Sequence, residues 1–306
     1  MNISFKNIIR PFFVPQKKLI ILTYHQVSNS FVANLYGKYI WLSKDVFEKQ
    51  LGYIKNKFKV VPLMEGIQAL QNNMLKETVF CLTFDDGDLS LKHTIVPLLE
   101  KYELPATFFI NTAYIESKKG YWFNIYNYIS NTDGIKNRIP QQVKHAIEKI
   151  RTEKEPGKYH EYKYVIENYA TMVPEDINFY VGHDFLNSLN SKLFTLGLHG
   201  HEHQRFSMMS KTEQENNIVL NIKYLQKYKN YIPAFAIPFG RPIDWNLETI
   251  KIAKRHNLYV LLAYGGYNVS LKKCLLRDSI NDEHVGEFIN NLSPFVNKYY
   301  RLNNCL

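Results

Sequence analysis

Cysteine is scarce in this chain and occurs in no pattern that predicts a bridge or a metal site. The 306 residues contain only three cysteines, Cys81, Cys274 and Cys305, which lie far apart and form no C-x-x-C pair. An odd number of scattered cysteines predicts neither a disulfide framework nor a thiolate metal site. Both classes of protein are therefore excluded.

Long hydrophobic runs are also missing. The chain contains no run of 18 apolar residues, and Pro11 and Pro15 flank the short apolar string Phe12-Phe13-Val14. The sequence therefore predicts neither a transmembrane helix nor a signal peptide, and we expect a cytoplasmic protein. The segment 5–13 is both basic and apolar, which leaves peripheral contact with the inner face of a membrane open.

Dense basic runs are absent as well, although the chain carries a net charge of +10. Charge that is spread along the chain is typical of solvated faces, so we expect no nucleic-acid partner; anionic glycans or lipid headgroups are the alternatives. An apolar content of 45% with 22% charged residues is ordinary for a soluble globular protein. The length suffices for one barrel-sized domain or two smaller ones.

Short apolar strands alternate with helical patterns along most of the chain. The first strand is predicted at Leu19–Tyr24, Ser43 is expected to cap a helix, and Ser210 and Glu213 form a capping box at the start of another. Further strands are predicted at 60–63, 78–82, 106–110, 193–198, 234–238 and 258–263, and further helices at 64–71, 94–102, 247–256 and 285–292. This alternation predicts a mostly parallel α/β sheet or barrel.

One long segment, from about residue 114 to 187, breaks the alternation. It is rich in Lys, Glu, Asn and Tyr, and helical patterns occur at 141–151 and 161–169. A segment of this length is too long for a plain loop. We therefore predict a single domain over residues 1–306 that carries a mainly helical insertion.

Two groups of polar residues stand where predicted strands end. Asp85 and Asp86 follow one strand, and His199 and His203 follow another. Taken separately, the first group could be a solvated turn and the second a polar loop. Together, one aspartate and two histidines could bind a divalent metal while the other aspartate acts as a base. This combination predicts a metal-dependent hydrolase.

The carboxyl ends of the strands in a parallel α/β barrel lie on one face. We therefore expect the residues that follow the predicted strands to converge there, namely Tyr24-His25, Asp85-Asp86, Asn111, His199, His203 and Pro238-Phe239-Gly240.

Four strings give the chain a family resemblance: Thr83-Phe84-Asp85-Asp86-Gly87, His199-x-x-x-His203, Phe235-Ala236-Ile237-Pro238-Phe239-Gly240 and Pro105-Ala106-Thr107-Phe108-Phe109. With them the chain resembles the NodB-homology polysaccharide deacetylases over roughly residues 18–130 and 190–280. The resemblance implies an α/β fold, specifically a distorted (β/α)7-type barrel. It also implies removal of N-acetyl groups from amino sugars with one divalent ion, for which zinc is favoured over cobalt, nickel, iron and manganese.

The same resemblance implies roles for individual residues. Asp86, His199 and His203 would be the metal ligands, and Asp85 would be the base that accepts a proton from the attacking water. The metal and the backbone N–H of Phe239, which follows Pro238, would stabilise the oxyanion. Asn111 is a further candidate for contact with the substrate, whereas His201 is expected to face away from the metal.

The chain departs from the family pattern in two places. Ala236 stands where many members have an arginine that orients the base, and no histidine follows His284, so the usual C-terminal Leu-x-His acid is missing. Both departures are similar to a subgroup, which includes biofilm-exopolysaccharide deacetylases, in which an N-terminal Tyr-His carries the acid. Tyr24-His25 matches that string.

We therefore predict that His25 protonates the departing amine from the face opposite the base. Nearby carboxylates are expected to hold its pKa in the neutral range. A structural histidine is the alternative reading, with His284 as the fallback acid. Arg277 is predicted to replace the missing arginine.

The leading hypothesis is a metal-dependent N-deacetylase that acts on a bacterial surface polysaccharide or on a lipid-linked sugar precursor. One alternative is a related amidohydrolase on a small non-sugar amide, which would share all of the metal chemistry. Another is an inactive glycan-binding module, but all four of Asp85, Asp86, His199 and His203 are present. The sequence does not identify the sugar, its linkage or the oligomeric state.

Overall fold

The computed structural model describes residues 17–280, apart from positions 31, 33–34, 36, 38–39, 116–119, 136–138, 153–155 and 273. The basic N-terminal segment, the helix predicted at 285–292 and His284 lie outside this range. Within it, no helix combines the length and the apolar character that crossing a membrane requires.

The strands form one large parallel sheet and one small one. In chain order they are β1 (Leu19–Tyr24), β2 (Gln26–Ser28), β3 (Trp41–Ser43), β4 (Lys59–Val60), β5 (Val79–Phe84), β6 (Ala106–Ile110), β7 (Phe194–Leu198), β8 (Tyr231–Ala236), β9 (Tyr259–Leu262), β10 (Cys274–Leu276) and β11 (Asp278–Ser279). Across the large sheet the order is β10-β9-β8-β7-β6-β5-β1-β11, with β4 paired to β5 outside this path. The pair β2-β3 stands apart.

Arg277 is the point at which the large sheet nearly closes into a barrel. It is the only residue between β10 and β11, yet these strands lie at opposite ends of the sheet order. The N–H of Arg277 donates to Leu262 O of β9 at 2.8 Å, and the N–H of Ile280 donates to Thr23 O of β1 at 2.9 Å. If β10 and β11 are counted as one interrupted strand, the barrel has the predicted (β/α)7 form.

The barrel is distorted between β7 and β8. Their register shifts between Leu196 and Leu198, and Gly197 lies at that shift. A Cβ atom at Gly197 would stand 2.5 Å from the Phe109 ring and 3.0 Å from the carbonyl oxygen of Ala234. Only glycine therefore fits where the two strands approach each other.

The helices are α1 (Lys44–Lys57), α2 (Leu63–Gln71), α3 (Val96–Lys101), α4 (Trp122–Asn131), α5 (Gln141–Thr152), α6 (Pro156–Glu167), α7 (His183–Ser188), α8 (Lys211–Leu225) and α9 (Leu247–Arg255). The predicted caps are confirmed, because Ser43 Oγ accepts from Val46 N and the Ser210–Glu213 capping box is complete. The helix predicted from Thr94 starts earlier, with a π-helical turn at Leu91–Ile95.

The segment 114–187 is mainly helical, as predicted, and contains α4 to α7. It has a small apolar core of its own, which includes Trp122, Ile125, Val143 and Ile147. The predicted helix at 141–151 coincides with α5, whereas α6 begins five residues before the predicted 161–169. The sequence did not predict α4, because its aromatic and asparagine residues are weak helix formers.

Candidate active site

A pocket of about 530 Å³ lies where the parallel strands of the barrel end. Residues that follow strands supply one side of it, and the helical insertion supplies most of the other. The lining residues are His25, Asp85, Asp86, His199, His203, Arg205, Phe239, Arg241, Ala263 and Ser279 from the barrel, Tyr121, Trp122, Phe123 and Ile150 from the insertion, and Ile40.

The three predicted metal ligands meet in this pocket. Asp86 Oδ1 lies 3.3 Å from His199 Nε2 and 3.2 Å from His203 Nε2, and all three side chains are buried. One ligand atom from each residue lies within 4.8 Å of the others. Asp86 Oδ1 has no hydrogen-bond partner although it is buried. A buried carboxylate oxygen that faces two imidazole nitrogens fits a divalent cation.

The two histidine rings are held in place from behind. His199 Nδ1 lies 2.8 Å from the carbonyl oxygen of Ala236, a contact that assigns the proton to Nδ1 and leaves Nε2 to face the cluster. The His203 ring lies between the rings of Tyr121 and Phe239, each with its centroid 4.7 Å away. Tyr121 belongs to the insertion, so the insertion packs directly on a candidate ligand.

Backbone strain is concentrated at this site. Asp86, His203 and Phe239 have φ values of 75°, 50° and 62°, a left-handed region that is uncommon for residues other than glycine. Each such residue costs on the order of 1–3 kcal/mol. The other described non-glycine residues with positive φ follow helices, where this conformation is usual; they are Asn73, Glu103 and Asn257.

The second aspartate, Asp85, pairs with Arg277 rather than with the histidines. The guanidinium, which is fully buried, donates to Asp85 Oδ1 at 2.7 Å and to Oδ2 at 2.8 Å. Burial raises the pKa of Asp85, but the charges of Arg277 and His199 lower it by a larger amount. The pKa therefore lies below its usual value. The structure thus places an arginine on Asp85, from the seam of the barrel rather than from position 236.

The pKa of Asp86 is also lowered. Burial raises this pKa, but the charge of His203 and the close contacts with the two imidazole rings lower it more, and it lies well below its usual value. Both aspartates are therefore ionised at neutral pH, each stabilised by a different set of cationic or donor groups.

His25 lies in the same pocket, beside the predicted base. Its Nε2 is 3.9 Å from Asp85 Oδ2, and about a fifth of the side chain (21%) is exposed. Burial lowers the pKa of His25, and the opposing effect of Asp86 and Asp85 does not restore it. The expectation that the carboxylates would hold its pKa in the neutral range is therefore wrong, whereas its role as the acid on the face of the substrate opposite the base stays a prediction.

Three other residues that the sequence singled out lie behind the pocket. Asn111 Nδ2 donates to the carbonyl oxygens of His199 and Gly200, and the carbonyl of Pro238 accepts from Gly240 N at 2.7 Å. Neither Asn111 nor Pro238 is among the described residues that line the pocket. His201 turns away, as expected, and its Nδ1 lies 2.9 Å from Thr112 Oγ1.

Sequence reasoning missed two parts of the lining. Arg241 directly follows the motif glycine Gly240, and Arg205 stands two residues after His203, so their closeness to the motifs could have revealed them. The aromatic run 121–123 carries no such signal, because it reaches the pocket only through the folding of the insertion.

The fold and the pocket define a class: parallel α/β barrels with one aspartate and two histidines clustered at the carboxyl ends of the strands. The family model described as "Polysaccharide deacetylase" matches residues 72–261, which is more than half of the chain. The chain belongs to the polysaccharide deacetylase family, and the resemblance drawn from its motifs is confirmed.

Solved structures support the same fold. The Streptococcus pyogenes deacetylase PplD in complex with acetate has a TM-score of 0.56 at 20% identity, over 90% of this chain and 99% of that chain. A de-N-acetylase from Aggregatibacter actinomycetemcomitans gives 0.61 at 16% identity, over 90% and 100%. IcaB from Ammonifex degensii gives 0.54 at 17% identity, over 87% and 92%. The comparison with curated proteins gives no match.

Proposed function

We propose that this protein is a metal-dependent hydrolase that removes N-acetyl groups from amino sugars of a bacterial surface polysaccharide or of its precursor. The observation that carries the proposal is the meeting of Asp86, His199 and His203 beside the Asp85–Arg277 pair in one pocket. Membership of the polysaccharide deacetylase family supports the same reaction.

Asp86, His199 and His203 would hold the metal ion, and zinc suits this set of one carboxylate and two imidazoles. A divalent ion in such a site supplies a Lewis acid, which lowers the pKa of water and polarises the amide carbonyl. The hydrogen bond from His199 Nδ1 to the carbonyl of Ala236 fixes the ring for this purpose.

Asp85 is the proposed general base. It is ionised at neutral pH because Arg277 holds its pKa below the usual value. The two bonds from Arg277 fix the carboxylate in a single orientation, and Asp85 Oδ2 lies 3.8 Å from His199 Nε2. From there it would accept a proton from the water that attacks the amide carbon.

His25 is the proposed donor to the departing amine, which leaves poorly as an anion. Because burial lowers its pKa, the ring is neutral before reaction. Its Nε2 lies 3.9 Å from Asp85 Oδ2, which is too far for a direct hydrogen bond, so the proton that Asp85 accepts would pass to His25 through one water molecule and then to the amine nitrogen as the C–N bond breaks. Acetate and the free amine leave, and Asp85 is ionised again.

Aromatic side chains favour a sugar over a non-sugar amide as the substrate. Tyr121, Trp122 and Phe239 line the pocket, and a sugar ring can pack its apolar face on such groups.

Acetate release tests the proposal. The zinc-loaded protein is incubated with N-acetylated amino sugars, neutral and charged, as monomers and oligomers, and with small N-acetyl amides that lack a sugar ring. We expect acetate from the amino sugars only, and on the order of 10²–10⁴-fold less of it from the Asp85→Asn variant. Equal rates on the non-sugar amides would contradict the sugar specificity, and no acetate from any compound would contradict the deacetylase.

A further inference from the structure

Two arginines on one side of the pocket share a single aspartate. Arg241 donates through Nε and Nη2 to the two carboxylate oxygens of Asp244 at 2.9 and 3.1 Å. Arg205 Nε lies 3.2 Å from Asp244 Oδ1. Asp244 is fully buried, whereas both arginines line the pocket. Two positive charges therefore meet one negative charge on this side.

The remaining charges of the pocket do not compensate this excess. The carboxylates that line the pocket in the described part of the chain are Asp85 and Asp86. Asp85 is paired with Arg277, and Asp86 faces the two histidines of the candidate metal cluster. In the described part of the chain, two arginines on this side of the pocket thus pair with one carboxylate, that of Asp244.

The arginines lie close to the reaction centre. Arg205 follows His203 by two residues, and Arg241 follows Phe239, whose ring is 4.7 Å from His203, by two residues. Two residues span at most about 7 Å. The Cα atom of each arginine therefore lies within about 7 Å of that of a residue whose ring packs at the candidate metal cluster.

Arg241 also retains hydrogen-bond donors. A guanidinium has five N–H groups, of which Asp244 takes one on Nε and one on Nη2. About half of the Arg241 side chain (53%) is exposed. The bonds to Asp244 fix one edge of the Arg241 guanidinium, while the buried Arg205 places a second positive charge beside the same carboxylate. The second, half-exposed arginine is thus available for a ligand.

We propose that Arg241 binds an anionic group of the substrate, a phosphate or a carboxylate carried on or next to the N-acetylated sugar, and that Arg205 adds a second positive charge on that side. The inference deepens the proposed function and rests on it for the identity of the sugar. Guanidinium groups bind such oxyanions through paired, charge-assisted hydrogen bonds. Asp244 positions the two arginines and does not itself contact the ligand.

Calorimetry on the zinc-loaded Asp85→Asn protein measures this binding without turnover. The ligands are N-acetylglucosamine, N-acetylglucosamine 1-phosphate, the corresponding N-acetylated uronic acid and inorganic phosphate. We expect one or both sugar anions to bind more tightly than the neutral sugar. Adding Arg241→Gln should weaken that anion about 10- to 100-fold and leave the neutral sugar unchanged.

Two further variants serve as controls. Arg241→Lys keeps the charge and should retain part of the preference. Arg255→Gln removes the same charge from α9, where Arg255 pairs with Glu215 and Glu248, and should change neither affinity. Arg205 remains on Asp244 in all of them. Phosphate binding that Arg241→Gln leaves intact would assign the anion to the metal and overturn the inference, as would equal affinity for neutral and anionic sugars.

Acetate release by the wild-type protein distinguishes a failure of the proposed deacetylase function from a failure of the proposed anion site. If no sugar is deacetylated but the Arg241-dependent anion preference persists, the proposed function fails and the anion site stands. If neutral and anionic sugars are deacetylated alike and Arg241→Gln affects neither, the function stands and the anion site is wrong.

Discussion

Two neighbouring aspartates acquire different properties from their partners. Asp85 and Asp86 are adjacent in sequence, yet Arg277 holds the first and the two histidines face the second. Like charges so close would raise each other's pKa unless separate partners stabilised them. The fold provides those partners, and this difference suits the roles that we propose, in which Asp85 moves a proton and Asp86 binds a cation.

Replacing Asp85 by asparagine preserves its shape and removes its ability to accept a proton. We expect Asp85→Asn to retain the metal and to lose on the order of 10²–10⁴ in turnover. Metal analysis and acetate release on the same preparation measure both quantities. Turnover close to wild type in the metal-loaded variant would exclude Asp85 as the base.

Arg277 should set the lower end of the pH range in which the enzyme works. Without it, burial raises the pKa of Asp85 with less opposition. A base acts only when it is deprotonated. As the pH falls, the Arg277→Gln variant should therefore lose its activity at a higher pH than the wild type does. The kcat/KM profile against pH measures this shift, with Arg277→Lys as the charge-keeping control. An unmoved acidic limb, in a variant shown to be folded, would argue against this role.

His25→Ala should lower turnover at least about 10²-fold without loss of metal, because the amine would leave unprotonated. His201→Ala is the matched control: it removes a histidine near the site that bonds Thr112 and does not line the pocket. If both variants lose the same modest activity, His25 has only a structural role.

At the scale of elements, the strand ends are what the sequence predicts best. Apolar runs defined β1, β5 and β6 because buried parallel strands leave a local signal. The polar residues after them could therefore be assigned to one face. Two other features depend on contacts between residues far apart in sequence. They are the closure of the sheet from β9 to β1 through the segment around Arg277 and the packing of Tyr121 on His203. No local sequence pattern encodes them.

Two glycine-to-alanine substitutions test how closely the elements pack, and they should change the free energy of unfolding in opposite directions. Gly197→Ala would press a methyl group against Phe109 and the carbonyl of Ala234, so we expect a loss of about 1–3 kcal/mol in the free energy of unfolding. Gly52 lies in α1 with its nearest neighbour atoms 3.9 Å from a Cβ, so Gly52→Ala should stabilise by about 0.5–1 kcal/mol. Denaturant unfolding measures both. A neutral Gly197→Ala would contradict the close approach of β7 and β8.

The whole molecule joins its parts at the pocket. The barrel supplies the proposed ligands and base, the seam between β10 and β11 supplies Arg277, and the insertion supplies the aromatic side chains that pack beside His203. In our proposal the chemistry comes from the barrel, whereas most of the aromatic contacts with the sugar come from the insertion. The motif residues indicated the first from sequence, whereas the second needed the folded insertion.

The central claim is that Asp86, His199 and His203 hold the metal on which deacetylation depends. The most direct measurement is the metal content of purified wild type, His203→Ala and the control His201→Ala, together with acetate release after zinc is added. We predict one equivalent of metal and activity in the wild type and in His201→Ala, and neither in a folded His203→Ala protein. Stoichiometric metal or unreduced acetate release in His203→Ala would contradict the account.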